Sequence, residues 1–206
     1  MRKRTCVLVD DSAIIREGLR LRFSAYDFEI VGEAADGASG FELIREQRAD
    51  VALLDVRMPR GDGLWVLEQL AEEERANVML LSAFGDALVV DQALALGAAG
   101  FVLKGADAST LERALDAASR RHSYIDPDIV NELVVDAPGG LEETERAILR
   151  LVGTGSSLEG AGAALGIELE DVRKNFDAIL GSIDGYEGVT GRLRSVALDT
   201  YRRGDR

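Results

Sequence analysis

The 206-residue chain has one cysteine, one histidine, one tryptophan and three prolines, and its 24 lysines and arginines face 37 aspartates and glutamates. Each scarcity excludes a class of function. A lone Cys6 cannot form an internal disulfide, and its place in an apolar run marks a small buried hydrophobe rather than a reactive thiol. With His122 alone, a histidine-rich metal centre and a histidine-dependent triad are ruled out on inventory. No apolar run approaches the roughly 20 residues that a membrane span needs. Met1-Arg2-Lys3-Arg4 leads into a short strand-like run instead of a signal-peptide core, so a cytoplasmic protein with no membrane partner is expected. The formal net charge of −13 and a pI near 4.6 oppose long-range attraction to nucleic acid. The 47% apolar content is ample for a packed core in one large or two small domains.

What the chain does have is four short apolar runs that each end on a polar residue: Val7-Leu8-Val9-Asp10-Asp11, Val51-Ala52-Leu53-Leu54-Asp55, Val78-Met79-Leu80-Leu81-Ser82 and Gly100-Phe101-Val102-Leu103-Lys104. Separated by segments of helical period, such runs read as buried parallel strands. Five strands are expected, near residues 5–10, 28–34, 50–55, 77–82 and 100–103, with right-handed crossovers covering both faces of the sheet. The helix beginning near Ser12 is expected to bury Ile14, Ile15, Gly18, Leu19 and Leu21. One near Leu64 buries Leu64, Leu67 and Leu70 and leaves residues 72–75 in solvent. A helix over 108–119 closes a first domain, 1–121. Residues 122–140 read as a linker, with a short helix at 127–134 before the breaker Ala137-Pro138-Gly139-Gly140. From 141 to 206 there is no strand pattern, only four helical stretches at about 142–152, 157–165, 169–183 and 190–203, which make a small all-α domain.

The polar strand ends fall on one edge of a parallel sheet, where ligands of such folds bind. Asp10 and Asp11 in isolation are equally readable as helix caps. Asp55 changes the weighing, because it leaves an apolar strand for the turn Val56-Arg57-Met58-Pro59-Arg60-Gly61-Asp62-Gly63, where uncompensated like charges beside Asp10 and Asp11 are costly and a bound cation relieves them. Carboxylates, a hydroxyl and an ammonium at one edge suit phosphoryl transfer.

Residues 5–120, with Asp10, Asp11, Asp55, Ser82, Phe101 and Lys104 in that order, resemble the receiver domain of two-component response regulators, a flavodoxin-like α/β fold. The resemblance implies a signalling protein rather than an enzyme, phosphorylated on Asp55 by a partner histidine kinase. Asp10 and Asp11, with Asp55 and the Arg57 carbonyl, would bind Mg2+; Ser82 and Lys104 would contact the phosphoryl group; and Phe101 would be the switch aromatic. Gly105 after Lys104 fits the NarL/FixJ branch. A phosphatase of the haloacid-dehalogenase type would need a second aspartate two residues beyond the first, and Asp10 is followed at that distance by Ser12.

The stretch Leu141-Glu142-Glu143-Thr144-Glu145-Arg146-Ala147-Ile148-Leu149 resembles the opening helix of a LuxR-type helix-turn-helix domain, with Leu165-Gly166-Ile167 at its turn and Arg173, Lys174 and Asn175 where that family meets DNA. This implies transcriptional control through DNA by a phosphorylation-dependent homodimer. The composition diverges: residues 141–191 hold four basic against ten acidic side chains, and Gly160 and Gly162 interrupt the scaffold helix. The alternative is a phosphorylation-dependent protein-interaction regulator whose helical domain no longer binds DNA.

Overall fold

Residues 3–23, 27–75, 77–130, 142–154 and 156–182 are described by the computed structural model. Strands β1 (Arg4–Val9), β2 (Phe28–Ala34), β3 (Val51–Asp55), β4 (Val78–Ser82), β5 (Gly100–Leu103) and β6 (Tyr124–Ile125) form one parallel sheet in the order β2-β1-β3-β4-β5-β6. Between them run α1 (Ala13–Phe23), α2 (Gly37–Gln47), α3 (Gly63–Gln69), α4 (Glu72–Arg75), α5 (Ala87–Ala95) and α6 (Ala108–Ser119). Because alternate strand residues point to opposite faces, each apolar run supplies two cores. Val7, Val9, Leu54, Leu80 and Phe101 pack beneath Ile44, Val66, Leu67 and Val90 from α2, α3 and α5. Cys6, Leu8, Leu53, Met79 and Val102 pack against Leu19 and Phe23 of α1 and Leu111, Leu115 and Ala118 of α6. Cys6 is the buried hydrophobe its setting suggests, and burial pushes its thiol up to about 12.

Four local expectations are corrected. The sheet has six strands, not five: Tyr124 and Ile125, inside the segment read as linker, pair with Gly100 and Phe101 and are buried. Asp126 ends that strand, accepting the Leu103 N–H at 3.1 Å and the Asp128 N–H at 3.0 Å, and residues 127–130 turn helical with Pro127 at the start. The rest of the expected 127–134 helix lies outside the described residues. In α1, Ile14 and Leu21 are 84% and 67% exposed and Gly18 is also exposed. The inward stripe is Ile15, Leu19 and Phe23, at intervals of four, while Ile14 and Leu21, seven apart, share the outer face. The helix near Leu64 breaks at Leu70, whose extended backbone separates α3 from α4; Leu67 and Leu70 are buried, but Leu64 only partly. Arg75 is not in solvent either, since it donates to the carbonyls of Leu70 (2.8 Å), Glu68 (3.2 Å) and Leu96 (3.2 Å), cationic charge at two helix C-termini.

Beyond residue 141 the described chain is helical: α7 (Glu143–Gly153), α8 (Leu158–Leu165) and α9 (Leu169–Ser182) pack on one another through Ile148, Leu149, Val152, Leu158, Ala161, Val172 and Phe176. Their starts and stops are encoded locally. The Glu142 N–H donates to Glu145 at 2.8 Å, Ser157 caps α8 through the Gly160 N–H at 3.0 Å, and Gly166, with φ 70°, ends it in the left-handed conformation. The fourth helix expected at 190–203 lies outside the described residues. No helix among the described residues is long and apolar enough to cross a membrane.

Candidate functional site

Parallel pairing brings the ends of β1, β3, β4 and β5 to one edge, and with them Asp10, Asp11, Asp55, Ser82 and Lys104. Asp10 and Asp55 are buried while Asp11 is exposed, and one carboxylate oxygen from each lies within 4.8 Å of the others. Lys104 Nζ sits 2.8 Å from Asp10 Oδ2 and 2.8 Å from Asp55 Oδ2, a single ammonium shared by two carboxylates. The Lys104 ammonium is the one charged partner of the buried Asp10 Oδ2 among the described residues. Asp10 Oδ1 accepts the Ser12 N–H at 2.9 Å, and Asp55 Oδ1 accepts the Arg57 N–H at 3.3 Å.

The charges do not balance: of three clustered carboxylates, Lys104 contacts those of Asp10 and Asp55. Burial, followed by repulsion from Asp10, raises the Asp55 pKa above its ordinary value, against the opposing pull of Lys104 and the Arg57 N–H. Burial alone would lower Lys104, but Asp10 and Asp55 outweigh it and hold the ammonium above its usual range. Clustered hard oxygen donors with excess negative charge, two of them from buried carboxylates, fit a small divalent cation.

The other expected residues divide. Ser82 is 8% exposed at the rim, its Oγ accepting the Phe84 N–H at 3.3 Å, and Phe84 itself is 79% exposed. Phe101 is not in the cluster; it lies fully buried in the core, paired with Leu80 and Ile125. Arg57 meets Asp55 through its N–H. Arg173 and Lys174 are exposed on α9, and the Asn175 amide donates to the Asp171 carbonyl at 2.7 Å within its own helix. Two residues that sequence reasoning passed over are tied to the turn that follows Asp55. Asp36 caps α2 and pairs with Arg60 of the turn after Asp55. The dipeptide Asp36-Gly37 is a readable helix start, but nothing local announces its partner 24 residues on.

Comparison with known proteins places the chain in a family. Residues 6–116 match the response regulator receiver domain. Over 205 residues the chain is 33% identical to the probable transcriptional regulatory protein NarL of Mycobacterium tuberculosis, covering 94% of this chain and 95% of that protein. The signal receiver domain of NarL from the same organism superposes with a TM-score of 0.52 at 38% identity, covering 58% of this chain and 98% of that one. A LuxR-family two-component response regulator from Aurantimonas superposes with a TM-score of 0.61 at 26% identity, over 65% of this chain and 97% of that structure. The chain belongs to the response regulators, the family that this receiver domain defines, and its relatives are transcriptional regulators.

Proposed function

We propose that this response regulator accepts a phosphoryl group on Asp55 from the phosphohistidine of a partner sensor kinase and, as a homodimer in the cytoplasm, controls transcription through DNA bound by its helical region. The observation that carries the first step is the Asp10–Lys104–Asp55 contact at the end of a buried strand. An Asp55 carboxylate oxygen attacks phosphorus, the P–N bond to the kinase imidazole breaks, and a P–O bond forms on the aspartate. Asp10, Asp11 and Asp55, with the Arg57 carbonyl, would hold Mg2+, which when bound supplies positive charge between two anions that otherwise repel. Lys104 then exchanges its contact with Asp55 for the new phosphoryl oxygens, and the Ser82 hydroxyl donates to another. Phe101 lies on β5 three residues before Lys104 and pairs with Leu80 of β4, the strand that ends on Ser82, a placement that supports its assignment as the aromatic that responds.

The names of the full-length relatives favour transcriptional output over the protein-interaction alternative, and Arg173 and Lys174 stand exposed as a DNA contact requires. Incubation with a small phospho-donor and Mg2+ tests the site: mass spectrometry should find one added phosphoryl group in the wild type and none in Asp55→Asn. Equal uptake by Asp55→Asn would sink the assignment.

A further inference from the structure

The turn that follows Asp55 is held in an unfavourable backbone conformation, and what holds it is α2. Arg60 has φ 54° and Gly61 φ 105°, and the left-handed region is costly for a residue with a Cβ. The first-turn N–H groups of α2 grip this turn from one side: the Gly37 N–H donates to the Pro59 carbonyl at 3.1 Å and the Ala38 N–H to the Arg60 carbonyl at 2.9 Å. Gly37 permits that approach, because a Cβ there would sit 1.9 Å from the Gly61 carbonyl oxygen. Asp36 adds the charged contact. Only 3% exposed, it accepts the Ser39 N–H at 3.0 Å and the Ser39 hydroxyl at 2.9 Å, and it pairs with the Arg60 guanidinium. At the far end the Gly63 N–H returns to the Val56 carbonyl at 2.8 Å. Arg57, whose N–H meets Asp55, lies inside the closed loop.

We propose that Asp36 and Arg60 are positioning residues for the cation and phosphoryl site: their ion pair, by fixing residues 56–62 on the N-terminus of α2, pre-orders the turn that presents Arg57 beside Asp55. The inference rests on the reading of Asp55 and its neighbours given above. A preformed turn spares bound Mg2+ the cost of ordering it, so the pair governs how tightly the cation is held more than how fast the chemistry runs once it is in place. The molecule carries its own reporter, since Trp65 is the sole tryptophan and packs on Gly61, where a Cβ would come within 2.3 Å of the indole Cε3.

The full chain is titrated with Mg2+ by calorimetry and Trp65 fluorescence, and phosphorylation by a small phospho-donor is followed against Mg2+ concentration. Asp36→Asn keeps a capping oxygen and loses the ion pair. Arg60→Ala removes the partner of Asp36 by truncating a side chain that is itself 71% exposed, without disturbing packing. Each should weaken Mg2+ binding about tenfold, the lower end of what outer partners of metal ligands cost, with the rate at saturating Mg2+ near wild type. Arg60→Lys should recover most of the affinity, and the double variant should be no worse than the weaker single one. Wild-type affinity in both single variants overturns the clamp, as do losses that add in the double variant or a loss in saturated rate alone. Wild-type protein that neither binds Mg2+ nor takes a phosphoryl group on Asp55 overturns the site itself, and the clamp with it.

Discussion

At the scale of single residues, the acidic cluster places function against stability. Asp55 has its folded-state pKa raised above the ordinary 3.8, so ionising it costs more in the folded chain than in the unfolded one. The resulting destabilisation is present in full above the raised value and is relieved as pH falls toward 3.8. Asp55→Asn is therefore expected to raise the melting temperature at neutral pH in a chelator. The gain should shrink on acidification, and again when Mg2+ stabilises the wild type by binding its folded form. A thermal melt series across pH, with and without Mg2+, checks both trends; a lower melting temperature for Asp55→Asn in chelator would show that its pairing with Lys104 outweighs its burial. Asp10, Asp11, Asp55 and Lys104 were legible in the sequence because each ends an apolar run that can only be a buried strand. Asp36 and Arg60 were not, because their pairing is created by the fold.

At the scale of elements, the bounds expected for β1 to β5, α6 and α7 to α9 fall within one or two residues of those observed, but faces, the break after α3 and the short β6 were missed. In α1 the apolar residues outnumber the places on one stripe, so Ile14 and Leu21 had to face outward. A two-residue strand such as β6 carries no alternation to read. Gly160 and Gly162 looked equally like helix breakers, and the structure separates them. A Cβ on Gly162 would meet the Ile167 carbonyl oxygen at 2.9 Å and Val172 Cγ2 at 3.2 Å, so this glycine lets α8 approach the turn and α9 closely. Gly160 is exposed, and the nearest neighbour of an added Cβ is the capping Ser157 Oγ at 3.3 Å, an approach that a few tenths of an ångström of side-chain adjustment relieves. Gly162→Ala should therefore destabilise the helical region, the overpacking cost of about 1–3 kcal/mol exceeding the gain in helix propensity of about 1 kcal/mol. Gly160→Ala should be neutral or stabilising. Urea unfolding followed by circular dichroism distinguishes them, and a stabilised Gly162→Ala would mean that α8 and α9 are further apart than they stand here.

At the scale of the whole molecule, the net charge of −13 sets the terms that the proposed contact with DNA would have to meet. The change from the strand-bearing segment to the helical segment was legible from the loss of strand pattern after residue 141. Their junction was not, since the packing of Val130 against the position of Gly153, 3.4 Å from a Cβ built there, joins residues that no local pattern relates. Long-range repulsion by the receiver opposes a polyanion, so affinity must come from short-range contacts, and α9 offers Arg173 and Lys174 exposed with Asn175 tied to its own helix. Two phosphate contacts per protomer imply a slope of log affinity against log salt near −2 for one copy and about −4 for a dimer, taking roughly −0.9 per phosphate. Binding of the phosphorylated chain to duplex fragments should follow that shallow dependence, and replacing both Arg173 and Lys174 by alanine should abolish it while Asp55 is still phosphorylated. A much steeper slope, or tight binding that survives the double replacement, would move the contacts to the arginines at 192, 194, 202, 203 and 206. No binding at any salt concentration would return the helical region to the role of a protein-interaction module.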